Sequence, residues 1–373
     1  MRIYLDYASH TPASSAVLEA FCDAERRFAG NPLATHQAGR EAGQELARHT
    51  AAIAAMLGVA PGEIIFTSGA SEANNLAIKG IARAYGYKGR HILSTCLEHP
   101  SVSGTLAALQ DTGYEIELLR ILPDGTIDIA HLETAIRPDT ILVCVSAVDS
   151  ELGVIQPLRE ISRIVDKHPH CHLHIDAAQA MGKIPVDMYG ASTMCFSPHK
   201  FYGLSGSGVL VRRDGVVLEP LIHGGGAGIF RGGTPALGLA AACHKALEIA
   251  LANQEGWLAN VESLQRYLVD KLAQYPLVRV NSPAGGSPYI LNISVKGVKA
   301  AVFTAELSKC GVCVSIKSAC ATDSAPSRPV MAVSRDKQNA LSSWRISLSH
   351  MTKKKEMDGF LQAFNDCCAQ LAL

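Results

Sequence analysis

The stretch from residue 63 to residue 86, EIIFTSGASEANNLAIKGIARAYG, decides the fold of this chain. It opens on a strand-like run, EIIFTS, and passes through Gly69, Ala70 and Ser71 into a segment whose apolar residues recur at helical spacing. Small residues before a helix leave backbone N–H groups free, and the positive end of the helix dipole faces the same point. The stretch therefore predicts a strand that runs directly into a helix, with an anion-binding turn between them.

The same alternation of strand-like and helix-like segments continues along the chain to about residue 215. Further strand-like runs are HILST, EIELLRI, TILVCVSAV, HLHID, STMCFS and GVLVRR, and PLREISRIVDKH has helical spacing. This pattern predicts an α/β fold with a mainly parallel, seven-stranded sheet flanked by helices. Ligands of such sheets bind at the carboxyl ends of the strands.

The chain of 373 residues is long enough for one large domain and a smaller one. A helical segment from Ala236 to about Tyr275 leads into a region with the strand-like runs VRVNSP, YILNISVKG and VCVSIKS. We expect a large α/β domain over residues 13–255. Residues 1–12 and 256–373 are expected to form a small α+β domain.

Composition excludes several classes of function. Lys+Arg and Asp+Glu balance at 34 each, so nothing predicts direct binding to nucleic acid or to an anionic membrane. The amino terminus lacks the apolar core of a signal peptide. The 11 cysteines are scattered without the spacing of a secreted disulfide framework, which favours reduced thiols in the cytoplasm.

Groups of complementary chemistry collect at the predicted strand ends. HLHID ends in Asp176, and STMCFS leads into Ser197, His199 and Lys200. Together with the anion-binding turn, these supply what pyridoxal 5'-phosphate requires: a phosphate site, a carboxylate for the ring nitrogen and a lysine for a Schiff base. Each feature has a structural alternative, since TSGAS suits an ordinary helix cap and Asp176 suits the cap of a helix at AAQA. Their joint arrangement favours the cofactor.

The order and spacing of the motifs carry a family resemblance over nearly the whole chain. The chain resembles the cysteine desulfurases, in the class V aminotransferase group of fold type I pyridoxal-phosphate enzymes. The matching segments are YLDYASHTP, GNPLATHQAGR, EIIFTSGASEANNLAIKG, EHPSV, ELGVIQP, HIDAAQAMGKIPVD, SPHKFYG, LEPLIHGGG, RGGT, SIKSAC and SSWRISLS.

The resemblance implies roles for individual residues. Lys200 would form the Schiff base, Asp176 would pair with the ring nitrogen, and Gln179, one turn into a following helix, would meet the ring hydroxyl. His99 would lie over the ring and move protons. The remaining implied contacts are Ala70, Ser71, Ser197 and His199 for the phosphate, Ser150 for cofactor and substrate, Asn31 and Arg345 for the substrate, and Thr234 for the phosphate of a neighbouring subunit in a homodimer.

Cys320 in VSIKSACATDSAP distinguishes a desulfurase from other enzymes with this cofactor. Its small, polar neighbours suggest a mobile, solvent-reachable loop, and a thiolate there could attack the sulfur of bound substrate. By itself the residue also fits a small hydrophobe, but the SAC context of the family favours a nucleophile. The implied reaction converts L-cysteine to L-alanine and leaves a Cys320 persulfide, whose sulfur passes to an acceptor protein.

Several positions depart from the family pattern. NNE[TI]G reads DSELG, so Ser150 replaces an asparagine; LDNAATTP reads LDYASHTP, which puts Tyr7 and His10 on the expected substrate side; and SGHK reads SPHK, where Pro198 lacks a backbone N–H. Two alternatives therefore stay open. One is another pyridoxal-phosphate aminotransferase or a carbon–sulfur or carbon–selenium lyase, such as a selenocysteine lyase. The other is a degenerate scaffold for sulfur delivery.

Histidine- and cysteine-rich motifs elsewhere receive a structural interpretation. HPHCHLHID invites a metal site, but His172 and His174 should lie on a buried strand face beside Asp176. CGVC, from Cys310 to Cys313, has the spacing of a redox motif but runs into a predicted strand, which favours a structural role. No metal site is expected.

Overall fold

The computed structural model describes residues 2–225, 229–317 and 325–373. The strands are β1 Ile3–Tyr4, β2 Ile64–Thr67, β3 His91–Ser94, β4 Glu115–Leu118, β5 Thr140–Ser146, β6 His172–Asp176, β7 Thr193–Phe196, β8 Gly208–Arg212, β9 Val278–Val280, β10 Ile290–Val295, β11 Val312–Cys313 and β12 Ser343–Ser347. The helices are α1 Ser15–Arg27, α2 Gln37–Leu57, α3 Ala70–Tyr85, α4 Pro100–Gln110, α5 Ile129–Ala135, α6 Leu158–Val165, α7 Leu237–Leu272, α8 Ala300–Lys309, α9 Arg328–Ser334, α10 Lys337–Ser342 and α11 Lys354–Gln370.

The large sheet has seven strands in the order β2-β8-β7-β6-β5-β3-β4. The pairs from β4 to β7 are parallel, and β8 runs antiparallel to both of its neighbours. All seven residues of β5 are buried, as expected for a parallel strand covered by helices on both faces. The predicted α/β fold with a mainly parallel sheet is confirmed.

Helix α7 joins two hydrophobic cores. Cys243, Ala246 and Leu247 pack into the core beside the large sheet, whereas Leu264 and Leu268 pack into a second core. A single helix of 36 residues thus links the two packing units without a flexible connection.

The second core is built on a three-stranded antiparallel sheet with β10 in the centre. The amino-terminal segment adds to it, because β1 pairs with β11 and Asp6 bridges to Ser347. The run VCVSIKS forms only the two-residue strand β11, shorter than expected. Strand β11 pairs with β1 over only two residues because β1 is that short, and Ser315 beyond it forms a β-bridge with Arg345.

The segment after Asp176 is a series of turns, so the helix predicted there is wrong. Asp176 Oδ1 accepts a hydrogen bond from the Ala178 backbone N–H at 2.9 Å, which closes the first turn. Gly182 then adopts a left-handed conformation with φ 73°, and Pro185 follows. Both features oppose continuation as a regular helix.

Over residues 2–225, 229–317 and 325–373, no helix has the length and apolar character needed to cross a membrane.

Candidate active site

A cavity of about 370 Å³ opens at the carboxyl ends of the parallel strands. Asp176 ends β6, Ser197 follows β7, and Ala70 begins α3 directly after β2. The topology brings these strand ends to one edge because the strands that carry them point the same way. The predicted residues that line this cavity are Ala70, Ser71, His99, Ser150, Asp176, Gln179, Ser197, His199, Lys200 and Arg345.

Lys200 reaches the cavity from a tight turn after β7. Residues Pro198–Lys200 form a 3₁₀ turn, and the Pro198 carbonyl accepts backbone hydrogen bonds from Phe201 and Gly203, each at 2.9 Å. A Cβ at Gly203 would lie 2.4 Å from the Pro198 Cβ, so only glycine fits this fold of the chain. Lys200 Nζ donates to the carbonyls of Ala8 at 2.8 Å and Ser9 at 2.7 Å. The amine is therefore held at the cavity wall by the amino-terminal segment.

A buried hydrogen-bond network orients Asp176. Asn74 Nδ2 on α3 donates to Asp176 Oδ2 at 2.8 Å, and His174 Nε2 lies 2.8 Å from Asn74 Oδ1. His174 Nδ1 lies 2.9 Å from the Thr193 hydroxyl. Because an amide oxygen only accepts, His174 carries its proton on Nε2. Burial lowers the pKa of His174 to about 4, and the neutral ring holds Asn74 in the orientation that serves Asp176.

His99 is the amino-terminal cap of α4 and also faces the cavity. Its Nδ1 accepts from the Ser101 backbone N–H at 3.1 Å and lies 2.8 Å from the Ser101 hydroxyl. That hydroxyl accepts from Asn74 Nδ2 at 2.8 Å, so the histidine and Asp176 share one network. Burial is the main cause of the lowered pKa of His99. The nearby Asp176 acts to raise this pKa, and the nearby Lys200 acts to lower it further. The ring is neutral, with the Nε2 proton as its donor.

The amino terminus of α3 forms the anion-binding side of the cavity. Gly69 caps the helix without a side-chain hydrogen bond, and the Ser197 hydroxyl lies 3.4 Å from the Ala70 backbone nitrogen. A Cβ at Gly208 would lie 2.6 Å from the Gly69 Cα, so the turn is packed closely against β8. His199 Nδ1 is buried without a hydrogen-bond partner among the described residues. Burial, with Lys200 and His10 nearby, lowers the pKa of His199 to about 4.

Gln179 connects the cavity to a second buried lysine. Its Nε2 donates to the Ala8 carbonyl at 2.9 Å, the same carbonyl that Lys200 contacts, and its Oε1 accepts from Lys183 Nζ at 2.8 Å. Burial lowers the pKa of Lys183 well below its ordinary value, and the positive charges of Lys200 and Arg345 act in the same direction.

Arg345 approaches the cavity from β12 of the small sheet. Its side chain is 2% exposed, and Nη2 forms an ion pair with Asp6 at 3.0 Å. Nη2 also donates to the Ser9 hydroxyl at 2.8 Å, and Nη1 donates to the Ser150 carbonyl at 2.6 Å. Ser150 thus contacts the arginine through its backbone. A fixed, buried guanidinium of this kind suits recognition of a carboxylate.

The donors around the cavity fit pyridoxal phosphate. Its phosphate suits the start of α3, where Gly69 provides no side-chain cap, and His199 Nδ1, which has no hydrogen-bond partner within the described ranges. Asp176 suits its ring nitrogen, and Lys200 suits its aldehyde. No group of histidine, cysteine, aspartate and glutamate suited to a metal ion occurs within the described ranges.

Two predicted site residues do not line the cavity of this chain, and a third lies outside the described residues. Asn31 is exposed and does not line the cavity, and its Oδ1 accepts from the Leu33 backbone N–H at 3.0 Å. Thr234 is exposed and lines a separate cavity of about 350 Å³ with Phe66. Cys320 lies outside the described residues.

The positions of Tyr7 and His10 also differ from expectation, because neither side chain lines the cavity. Tyr7 is buried against Tyr4, with ring centroids 4.8 Å apart. His10 is exposed and stacks on His199 at 5.7 Å, on the anion-binding side and not the substrate side.

Sequence reasoning missed Asn74, Lys183 and Ser9. Asn74 and Lys183 are polar residues within otherwise apolar patterns, and such residues are usually buried only with partners. Ser9 stands where the family pattern LDNAATTP has its second alanine, a visible departure whose contact with Arg345 required the tertiary structure.

Comparison with known proteins supports one family throughout the chain. The sequence pattern of the Aminotransferase class-V family matches residues 3–360. A protein named cysteine desulfurase IscS, from Dictyoglomus turgidum, is 34% identical over 362 residues, covering 95% of this chain and 92% of its own.

Comparison with solved structures indicates the same family. A NifS-like protein superposes with a TM-score of 0.93 at 31% identity, covering 99% of this chain and all of its own. A structure titled SspA in complex with cysteine superposes with a TM-score of 0.80 at 31% identity, covering 93% of this chain and 99% of its own. The chain therefore belongs to the class V aminotransferase family.

Proposed function

We propose that this protein is a pyridoxal-phosphate-dependent cysteine desulfurase, which removes sulfur from L-cysteine and passes it to an acceptor protein. The observation that carries the proposal is the meeting of Lys200, Asp176 and Arg345 at one cavity, in a member of the class V aminotransferase family. An amine, a carboxylate and a guanidinium there match the needs of the cofactor and of an amino-acid substrate. Desulfurases among the relatives support the same reaction.

Pyridoxal phosphate, when bound, supplies an aldehyde that joins an amine and a ring that takes up electrons from the substrate. The α3 terminus with Ala70, Ser71, Ser197 and His199 would hold its phosphate. Asp176, fixed by Asn74, would keep the ring nitrogen protonated. The Gln179 amide would donate to the ring hydroxyl.

Lys200 and His99 would carry the protons. Once released from the cofactor, the Lys200 amine would take the proton from the substrate α-carbon and return it, because an amine at the cavity wall can serve as a general base. His99, neutral and with its proton on Nε2, would donate that proton within the cavity.

Cys320 would be the sulfur acceptor. Its thiolate attacks the substrate sulfur, an S–S bond forms, and the carbon–sulfur bond breaks with its electron pair staying on the carbon fragment. Protonation of that fragment gives L-alanine. One L-cysteine and one Cys320 thiol thus give one L-alanine and one Cys320 persulfide, with no external oxidant.

The test supplies purified holoprotein with L-cysteine and measures L-alanine and protein-bound persulfide. We expect both products from the wild type and neither from Cys320→Ser. Cys310→Ser is the matched control, because Cys310 is an exposed thiol outside the cavity. Alanine production that survives Cys320→Ser would refute the nucleophile. Conversion of the cofactor to its amine form, restored by a 2-oxo acid, would show an aminotransferase instead.

We also propose a homodimer in which Thr234 reaches the cofactor phosphate of the neighbouring subunit. The exposed position of Thr234, away from the cavity of its own chain, supports this arrangement. Sedimentation should show a dimer. Thr234→Ala should weaken cofactor retention, and the variant should remain a dimer. A monomer with full activity would refute the proposal.

Two further parts of the sequence prediction extend this proposal. We propose that the reaction takes place in the cytoplasm, in agreement with ten free cysteines among the described residues.

The division into residues 13–255 and residues 1–12 plus 256–373 is supported by the two cores that α7 connects.

A further inference from the structure

Arg345 already donates three of its five N–H groups within the protein. Nη1 donates to the Ser150 carbonyl, and Nη2 donates to both Asp6 Oδ1 and Ser9 Oγ. A guanidinium nitrogen of the η type carries two N–H groups, so both hydrogens of Nη2 are engaged. Nε is buried and has no hydrogen-bond partner among the described residues.

Because of the shape of the guanidinium, every contact of Arg345 with a carboxylate through two parallel hydrogen bonds uses Nη2. A carboxylate bound by two parallel hydrogen bonds must use either Nε with Nη2 or Nη1 with Nη2, since only these neighbouring nitrogens present parallel N–H groups. Both arrangements require a hydrogen of Nη2. A substrate carboxylate can therefore bind Arg345 in this way only by displacing Asp6 or Ser9.

A substrate carboxylate displaces Ser9 from Arg345 more easily than it displaces Asp6. Asp6 forms an ion pair at 3.0 Å with a nearly fully buried guanidinium, whereas the Ser9 hydroxyl accepts a hydrogen bond without a charge of its own. Ser9 Oγ also donates to Asp6 Oδ1 at 2.9 Å and lies 3.3 Å from Ser315 Oγ. On losing Arg345 it keeps these contacts, so the displacement leaves no polar group unpaired.

We propose that Ser9 is a specificity-determining residue, whose hydroxyl competes with the substrate carboxylate for Arg345. The inference rests on the proposed role of Arg345 in binding the substrate carboxylate. In the family pattern this position is an alanine, which cannot compete. The competition weakens binding of every ligand that carries the carboxylate and leaves ligands without one unaffected.

The experiment compares two ligands that differ only in the carboxylate. L-Alanine and ethylamine are titrated into holoprotein, and binding is followed through the cofactor absorbance, in the wild type, in Ser9→Ala and in Ser334→Ala. The Ser334 hydroxyl donates to the Val330 carbonyl at 2.6 Å, outside the cavity, so this variant controls for loss of a hydroxyl. We expect Ser9→Ala to bind L-alanine about three- to tenfold more tightly, the value of one competing hydrogen bond. Ethylamine binding should be unchanged.

Kinetics give a second readout. The KM for L-cysteine should fall by a similar factor in Ser9→Ala, while kcat stays the same. Unchanged or weaker L-alanine binding in Ser9→Ala would overturn the inference, as would an equal change for ethylamine. If the wild type releases no sulfur from cysteine but Ser9→Ala still tightens L-alanine binding, the proposed reaction fails while the competition at Arg345 stands.

Discussion

The two ends of the cavity are built in different ways. The end that we propose for the cofactor, the cofactor end, combines Asp176 at the end of β6 with Ser197 and Lys200, which follow the neighbouring parallel strand β7, and with the start of α3. The end that we propose for the substrate, the substrate end, combines Arg345 on β12, Asp6 and Ser9 in the amino-terminal segment, and a loop after β5. These three segments meet only because the second core packs beside the large sheet.

The departures from the family pattern are unevenly divided between the two ends. Asp176, Gln179, His99 and Lys200 match the pattern at the cofactor end, where Pro198 departs from it in the turn that carries Lys200. Ser9 and Ser150 differ at the substrate end. A cofactor with fixed geometry tolerates few changes in its partners. A guanidinium can exchange one acceptor for another, so substitutions around Arg345 alter affinity and leave the rest of the site in place.

The largest expected effect lies at the cofactor end. Lys200→Ala removes the amine proposed for both Schiff-base formation and proton transfer, so turnover should fall by about 10³-fold or more. Borohydride reduction followed by peptide mapping should locate the cofactor on Lys200 in the wild type and nowhere in the variant. Lys88→Ala, at an exposed lysine, is the control. A cofactor attached elsewhere would contradict the assignment.

A smaller effect is expected at the substrate end. Arg345→Lys keeps the charge but loses the planar fork, so the KM for L-cysteine should rise about ten- to a hundredfold, with a lesser change in kcat. Steady-state kinetics measure the two separately. A fall in kcat at constant KM would place Arg345 in the chemistry instead of in carboxylate binding.

The network behind Asp176 should be important mainly for stability. Asn74→Leu leaves Asp176 Oδ2 and His174 Nε2 without their amide partner, so the free energy of unfolding should fall by about 2–4 kcal/mol. Asn75→Leu is the matched control, because the neighbouring side chain donates only to the Ser71 carbonyl at the helix surface. It should change stability by less than about 1 kcal/mol. Equal losses in urea unfolding would contradict a special role for the network.

The smallest effect concerns pH. Because burial lowers the pKa of His174 from 6.5 to about 4, the unfolded chain takes up a proton below pH 6.5 that the folded protein excludes. The contribution of neutral His174 to the free energy of unfolding is fully present above pH 6.5 and is lost as the pH falls towards 4. Between pH 7 and pH 5 it should amount to about 2 kcal/mol, so His174→Gln should reduce the pH dependence of unfolding by that much. His170→Gln, at an exposed histidine, should leave the pH dependence unchanged.

Local pattern was enough to predict the sheet and to predict which groups line the cavity at the strand ends. Strand period, small residues before a helix, and a carboxylate and an amine after successive strands are all features of short segments. Parallel strands then bring those segments to one edge without further information.

Contacts between distant segments were beyond local pattern. Packing alone brings Asn74 to His174, and it alone brings Asp6 and Ser9 to Arg345. Short segments of sequence thus determined which chemical groups this protein has and at which strand ends they stand. Only the tertiary structure decided which of them are already hydrogen-bonded to one another, because a hydrogen bond between residues hundreds of positions apart depends on the packing of the two cores.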